Sequence, residues 1–203
     1  MAPIIVDTGV ANLASVRFAF ERLGFDIAIT DNVENIVKAS HVIIPGVGAA
    51  PRAMDIIAAK GLIPVLQSLT QPVMGICLGM QLIFETLHEG KLKGSENIKG
   101  LGLVPGEVTL LDTKGAPSPH MGWNRLKIER NDPLLAGIST GDYAYFVHSY
   151  AAPRADYTLA SANYGHRFSA VIKHKNIYGC QFHPERSSQI GAKILANFLG
   201  VDA

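Results

Sequence analysis

The first half of the chain alternates between short apolar runs and segments whose apolar residues recur at helical spacing. The runs PIIVD, FDIAIT, HVIIP and PVMGI are typical of buried strands. Between them lie three predicted helices, ANLASVRFAFERLG, NVENIVKA and RAMDIIAAK. The first has Leu13, Val16, Phe20 and Leu23 on one face and Gly24 as its C-terminal cap. This order predicts a parallel sheet with helices on its faces.

The second half follows a different pattern after the loop KLKGSENIKG. Its strand-like pieces are GLVPGEVTLL, GWNRLKIE, YAYFVHSYAA, YTLASANYG, FSAVIKHKN and IYGCQF. Strands that follow one another without helices predict an antiparallel portion that continues the sheet. SSQIGAKILANFLG is a predicted terminal helix with Ile190, Ile194, Leu195 and Phe198 on one face. Without repeats or linkers, we expect one three-layer domain over residues 1–203.

Composition narrows the class of protein. The chain has 48% hydrophobic and 17% charged residues, which is typical of a packed soluble domain. Eighteen basic against 17 acidic residues, with no long basic run, argue against a nucleic-acid partner. The start MAPIIVDTGVANL has neither a basic leader nor a membrane-length apolar run, so we expect a cytoplasmic protein without a membrane anchor. Its two cysteines, Cys77 and Cys180, are expected to be free thiols.

Cys77 lies in GICLG, where an apolar run meets an amphipathic one. Gly75 and Gly79 allow the sharp strand-turn-helix junction known as a nucleophile elbow. LGMQLIFETL, residues 78–87, is predicted to be the helix that follows, and unpaired amides at its start favour a thiolate. The alternative is a buried structural cysteine with a glycine on each side by chance. Cys180, inside the strand-like IYGCQF, is predicted to be a packed and inert thiol.

A thiolate needs a partner for proton transfer, and His183 is the candidate. It follows IYGCQF, and Glu185 lies two residues further on, so both side chains point the same way in extended backbone. A carboxylate beside an imidazole fixes its tautomer and supports imidazolium. The alternative is a surface histidine with a solvated glutamate. His120 and His148 are expected to serve only in packing. No CxxC or HxxxH accompanies His183, so neither a metal nor another cofactor is predicted.

Pro45–Gly48, PGVG, follows the strand HVII. Glycines at this point allow backbone N–H groups to approach a ligand at the edge where open α/β sheets bind small molecules. The alternative is an ordinary turn between strand and helix. A mononucleotide loop would need more glycines and a lysine, and the segment has neither.

GICLGMQ and the late HPE closely resemble the class I (triad) glutamine amidotransferase family, and the likeness runs from VDTGVANL to HPERS. GxCxG and HPE indicate only the superfamily. PGVG, PHMGWN and YFVHSY resemble its glutaminase subunits that serve a separate (β/α)₈ cyclase. The resemblance implies a flavodoxin-like fold with a mixed, mostly parallel sheet, glutamine as substrate, and one cyclase bound to one copy of this chain.

The resemblance also implies residue roles. Cys77 is similar to the family's nucleophile, His183 to its general acid/base and Glu185 to the residue that orients the imidazole. Three further groups follow from the match. Oxyanion donors are expected at Val47, Gly48 and Leu78; substrate contacts at Gly46, Gln81, Glu89, Ser149 and Tyr150; and partner contacts at Asn12, Trp123, Tyr145 and Arg186. For Trp123, the alternative is a core position between strands.

The chain departs from many relatives at four positions. Thr8 and Ala50 stand where aromatic residues are common, Ala11 where a glycine is common, and Arg186 where a lysine is common. These departures leave the triad intact and bear on coupling to the partner. Two other functions stay open: a stand-alone cysteine hydrolase or deglycase, and a glutaminase subunit of another synthase. A catalytically dead binding subunit is disfavoured by the intact triad.

Overall fold

The computed structural model describes residues 1–9, 12–90 and 97–200. Its helices are α1 (Leu13–Glu21), α2 (Val33–Lys38), α3 (Ala50–Ala59), α4 (Leu62–Gln67), α5 (Leu78–Leu82) and α6 (Ser188–Leu199). Its strands are β1 (Ile4–Val6), β2 (Ala28–Thr30), β3 (Val42–Gly46), β4 (Val73–Cys77), β5 (Phe84–Leu87), β6 (Ile98–Lys99), β7 (Val104–Leu110), β8 (His120–Arg125), β9 (Lys127–Ile128), β10 (Tyr143–His148), β11 (Tyr150–Ala151), β12 (Thr158–Tyr164), β13 (His166–His174) and β14 (Ile177–Cys180). Short 3₁₀ turns span Pro133–Leu135 and Pro184–Arg186.

The main sheet has eight strands in the order β2-β1-β3-β4-β14-β13-β12-β9. The first five are parallel, and β13, β12 and β9 continue the sheet with antiparallel pairings. Alternate residues of each strand point to opposite sides of the sheet, and helices cover both of its faces. One buried cluster joins Ile5 and Ile43 to α1 and α6, and the other joins Ile4 and Ile44 to α2–α5. A mixed, mostly parallel sheet between two layers of helices confirms the predicted fold class.

Helix α1 forms within the predicted segment ANLASVRFAFERLG, and Gly24 closes it as predicted. The Asn12 side chain accepts a hydrogen bond from the Ser15 amide at the N-terminus. Gly24, at φ +85°, closes the other end: its amide donates to the Glu21 carbonyl and the Phe25 amide donates to the Phe20 carbonyl. A left-handed residue with these two bonds is a Schellman cap.

The predicted helix over residues 78–87 is wrong in its second half. Helix α5 ends at Leu82, and β5 pairs with β6 and β7 instead. Pairing with strands distant in sequence buries Phe84 and Leu87, and that overrides the local helical spacing. The predicted antiparallel continuation of the main sheet is confirmed for β13, β12 and β9, whereas β11-β7-β5-β6 and β10-β8 form separate small sheets.

Helix α4 was not predicted; Pro64 lies in its first turn, where a missing N–H is tolerated. Most of the predicted KLKGSENIKG loop, and Ala11, lie outside the described residues. Within the described ranges, none of the helices has the length and apolar character needed to cross a membrane.

Candidate active site

Cys77 occupies the turn between β4 and α5 with φ +53° and ψ −110°. A positive φ is strained for a residue with a side chain, and such strain is often found at functional sites. The turn is possible because glycine flanks it: a Cβ on Gly79 would lie 1.7 Å from the Ile44 carbonyl oxygen, and one on Gly75 would lie 2.6 Å from the Gly79 oxygen. The helix start therefore packs directly on β3 and β4, as the predicted elbow requires.

His183 reaches the same sheet edge from the neighbouring strand. β14 runs parallel to β4 with Cys180 opposite Ile76, so the carboxyl ends of the two strands lie side by side. The His183 backbone is held there, since its amide donates to the Tyr145 carbonyl at 3.0 Å and its carbonyl accepts from the Ser187 hydroxyl at 2.7 Å. Glu185 lies in the 3₁₀ turn that follows, with Oε1 2.8 Å from Nδ1 of His183.

The charge state of His183 follows from its neighbours. Burial disfavours the charged ring, but hydrogen bonds and charge interactions with Cys77 and Glu185 outweigh burial and raise the His183 pKa to about 10. The ring is therefore an imidazolium at neutral pH. A cation beside a thiol favours the thiolate form of the sulfur, which is the nucleophile.

A cavity of about 250 Å³ opens over the sulfur. Its lining brings together most of the predicted oxyanion and substrate residues with the predicted nucleophile and the predicted acid/base: Val47, Gly48, Cys77, Leu78, Gln81, Glu89, Ser149, Tyr150 and His183. Gly46 does not line the cavity; it pairs with Cys77 across β3 and β4, where a Cβ would lie 2.9 Å from the Gly79 amide nitrogen. Glu185 also lies outside the lining and contacts the far side of the imidazole.

The polar groups of the cavity suit an amino acid. Glu89 lines it as a carboxylate whose Oε2 accepts from the Ala50 amide at 2.7 Å, which ties it to the segment after PGVG. Gly48, at φ +92°, has the left-handed backbone expected of a loop that turns its amides toward a ligand. A carboxylate in the wall is complementary to an ammonium group, and backbone amides near the sulfur are complementary to an oxyanion.

The predicted partner residues lie on the outer surface. Trp123 is 53% exposed and meets Tyr145 edge to face, with ring centroids 5.9 Å apart across β8 and β10. The alternative of a core tryptophan is therefore wrong. Asn12 and Arg186 are also exposed. Thr8 and Ala50, two of the departures from the family pattern, are buried, and the Thr8 hydroxyl donates to the Pro45 carbonyl at 3.1 Å.

Three residues of the lining were not predicted as substrate contacts: Pro119, Val147 and His148. The Cys77 thiol contacts the Val147 carbonyl at 3.7 Å. His148 pairs with His120 across the β8–β10 ribbon. Burial lowers the pKa of His120 to about 4 and that of His148 to about 3, so both rings are neutral near pH 7.

Two further groups at the end of β14 are fully buried. Gln181, which was given no role, is fully buried with its amide nitrogen 4.0 Å from the Cys77 sulfur. Its position two residues before the predicted catalytic histidine was the available signal for it. Cys180 is fully buried, and burial raises its pKa well above the usual range, in agreement with a packed thiol. Among the described side chains, no cluster of three or more His, Cys, Asp or Glu is arranged to hold a metal ion.

The family model for class-I glutamine amidotransferases matches residues 4–201. The chain belongs to this family. Among its relatives in the class I glutamine amidotransferases, imidazole glycerol phosphate synthase subunit HisH of Colwellia psychrerythraea is 53% identical, with 98% of this chain and 93% of the relative covered. The subunit of the same name from Shewanella sediminis is 50% identical, with 98% and 90% covered. The solved glutaminase domain of Trypanosoma brucei CTPS has a TM-score of 0.67 at 17% identity, covering 100% of this chain and 96% of that one. This last likeness supports the fold alone.

Proposed function

We propose that the chain is the glutaminase subunit of an imidazole glycerol phosphate synthase in histidine biosynthesis, one domain over residues 1–203. It hydrolyses glutamine to glutamate and ammonia and passes the ammonia to a separate cyclase subunit. The observation that carries the proposal is the strained Cys77 beside the Glu185-held imidazole of His183, in a chain 53% identical to a HisH subunit over almost its whole length.

Acylation begins with attack of the Cys77 thiolate on the carboxamide carbon of glutamine. The carbonyl oxygen becomes an oxyanion, which receives hydrogen bonds from the Leu78 amide and from the Val47–Gly48 segment. The His183 imidazolium gives its proton to the leaving nitrogen, the C–N bond breaks, and ammonia departs from a glutamyl thioester. Removing one oxyanion donor typically costs about 2.7 to 4 kcal/mol, so the conformation of PGVG has a large effect on rate.

Deacylation uses the same groups, and the proton now moves to His183. The neutral His183 removes a proton from water as the oxygen attacks the thioester carbon. The C–S bond breaks, glutamate leaves, and the thiolate–imidazolium pair is restored. Glu185 holds the ring through Nδ1, which leaves Nε2 for the proton transfers. Gln81, Glu89, Ser149 and Tyr150 hold the amino-acid end of glutamine in the cavity.

The ammonia acceptor is a (β/α)₈ cyclase on another chain, bound one to one, which makes imidazole glycerol phosphate and aminoimidazole carboxamide ribotide. Exposed apolar side chains next to the cavity support a docking face there. Val47 is in the cavity wall, and Met121 and Trp123 project from the outer face of β8. A dry contact around the opening matters because ammonia becomes protonated in water and then has no lone pair for attack.

The test is a glutaminase assay with and without the cyclase subunit. The proposal predicts little glutamate from the chain alone and at least about a hundredfold more with the liganded cyclase, in line with the gain from one oxyanion donor. Cys77→Ser is the control and should abolish glutamate release in both conditions. Equal activity with and without the cyclase would instead support a stand-alone hydrolase.

A further inference from the structure

Two buried histidines lie at the cavity: His148 is part of its lining, and His120 contacts His148 from behind. His120 on β8 and His148 on β10 are opposite each other in register, with Nδ1 of His120 2.9 Å from Nε2 of His148. Their rings are packed in an aromatic shell that includes Phe146, Tyr164 and Phe168. We call His120 and His148 the histidine pair. The shell is too apolar for a charged ring without a charged partner.

The hydrogen bonds of the pair fix where its protons lie. Nδ1 of His148 is 2.9 Å from the Tyr150 carbonyl, which can only accept, so this nitrogen carries a hydrogen. Nε2 of His148 then accepts from Nδ1–H of His120. Nε2 of His120 in turn accepts from the Asn124 amide at 3.2 Å, and that amide also donates to the Asn163 carbonyl at 3.0 Å. This hydrogen-bond pattern requires both rings to be neutral, and each ring donates its one N–H group toward the active site.

The chain of hydrogen bonds continues from the Tyr150 carbonyl to the nucleophile. The same carbonyl accepts from Nε2 of Gln81 at 2.9 Å, and Nε2 of Gln81 also donates to Oε1 of Gln181 at 3.1 Å. With its oxygen occupied, the Gln181 carboxamide presents its nitrogen to the Cys77 sulfur at 4.0 Å. Because Gln181 is fully buried, these contacts decide which end of its amide faces the sulfur.

We propose that the histidine pair positions the Gln181 carboxamide against the sulfur of Cys77. An N–H group directed at the sulfur stabilises the thiolate before attack and again when sulfur leaves the thioester. Gln181 therefore contacts a reacting atom, whereas His120 and His148 are positioning residues that act through Tyr150. This inference rests on the proposed glutaminase function.

The test compares Gln181→Leu, His148→Leu and the double variant, with His148→Asn as the conservative change. Asn keeps an amide nitrogen near the position of Nδ1, so it can still donate to the Tyr150 carbonyl. Two rates are measured: alkylation of Cys77 by iodoacetamide in the isolated chain, and kcat for glutamate release with the cyclase bound. We expect each Leu variant to lower both about tenfold, the effect of losing a hydrogen bond to a charged group. His148→Asn should stay within about threefold of wild type.

The double variant separates positioning from general damage. If His148 acts through Gln181, the double variant loses no more alkylation rate than the Gln181→Leu variant, whereas independent effects would multiply to about a hundredfold. His41→Leu is the matched control, since His41 is a partly buried histidine that bonds Ser40 away from the cavity; it should leave both rates unchanged.

Multiplying losses in the double variant, or an unchanged alkylation rate in Gln181→Leu, would overturn the inference. The alkylation rate of the Gln181→Leu variant tests the inference even if His148→Leu does not fold. Failure of the proposed function is recognised separately, because wild-type chain with the cyclase would then release no glutamate from glutamine.

Discussion

Nδ1 of His183 lies 2.8 Å from Oε1 of Glu185, and both side chains are almost completely buried. Since one ring nitrogen is held by the carboxylate, the other remains for the cavity, whose lining includes both His183 and Cys77. In the proposed mechanism, this short contact holds the imidazole in the orientation in which it exchanges protons with sulfur and substrate.

Replacing His183 by Ala should therefore lower kcat by about 10²- to 10⁴-fold, the usual contribution of a general acid/base, with much less effect on glutamine binding. Glu185→Gln should be milder, because an amide can still hold Nδ1 but does not stabilise imidazolium. Steady-state glutamate release with the cyclase measures both. The assignment of the base is wrong if His183→Ala retains near-normal turnover while His120→Ala or His148→Ala abolishes it.

The histidine pair should make the fold sensitive to acid. With folded-state pKa values of about 4 and 3 against 6.5 for an ordinary histidine, the stabilisation from two neutral rings is complete above pH 6.5 and is lost as pH falls toward 4 and 3. The positive charge of His183 also lowers the pKa of His148, because it disfavours protonation of that ring. Each histidine contributes a slope of about 1.4 kcal/mol per pH unit in this window.

Urea unfolding at several pH values measures that slope. His120→Asn should reduce the slope by the contribution of one histidine, about 1.4 kcal/mol per pH unit. The same slope between pH 6 and 4 in wild type and His120→Asn would contradict the neutral pair.

Gly79→Ala should be strongly destabilising, because its Cβ would lie 1.7 Å from the Ile44 carbonyl oxygen on β3. We expect a loss of at least about 3 kcal/mol, at the upper end of overpacking changes. Gly102→Ala is the matched control: φ is +67° but the space is open, so only backbone strain of about 1 kcal/mol applies. Thermal unfolding compares the two, and equal midpoints would mean that close packing at the elbow is not required.

Trp123→Ala should leave the fold intact and weaken binding to the cyclase by about 2 kcal/mol or more, the threshold for an interface hot spot. The side chain is 53% exposed and its outer face is free to bury against a partner. Val37→Ala, at 52% exposure on α2, is the control and should bind normally. Calorimetric titration of both variants measures the effect; unchanged affinity of the tryptophan variant would place the docking face elsewhere.

Local sequence patterns predicted the layers and the elbow because those features depend on neighbours in sequence. The apolar runs PIIVD and HVIIP and the glycines around Cys77 act within a few residues. The fate of Phe84–Leu87 did not follow from local spacing, since it depends on pairing with β7, a strand distant in sequence.

The sequence likewise predicted only part of the candidate site. His183 and Glu185 stand two residues apart and could be paired from the sequence alone. The contact between His120 and His148 depends on the register of β8 and β10, and that of Gln81 with Gln181 joins residues a hundred positions apart. Side-chain networks of this kind require the tertiary structure.

Covalent labelling with a glutamine-like diazo-ketone tests the central claim, that Cys77 attacks the glutamine carboxamide, most directly. Peptide mass spectrometry should find one adduct per chain on Cys77, slowed by added glutamine, with the buried Cys180 unmodified. An adduct on Cys180 with Cys77 unmodified, or labelling of Cys77 that glutamine does not slow, would contradict the account.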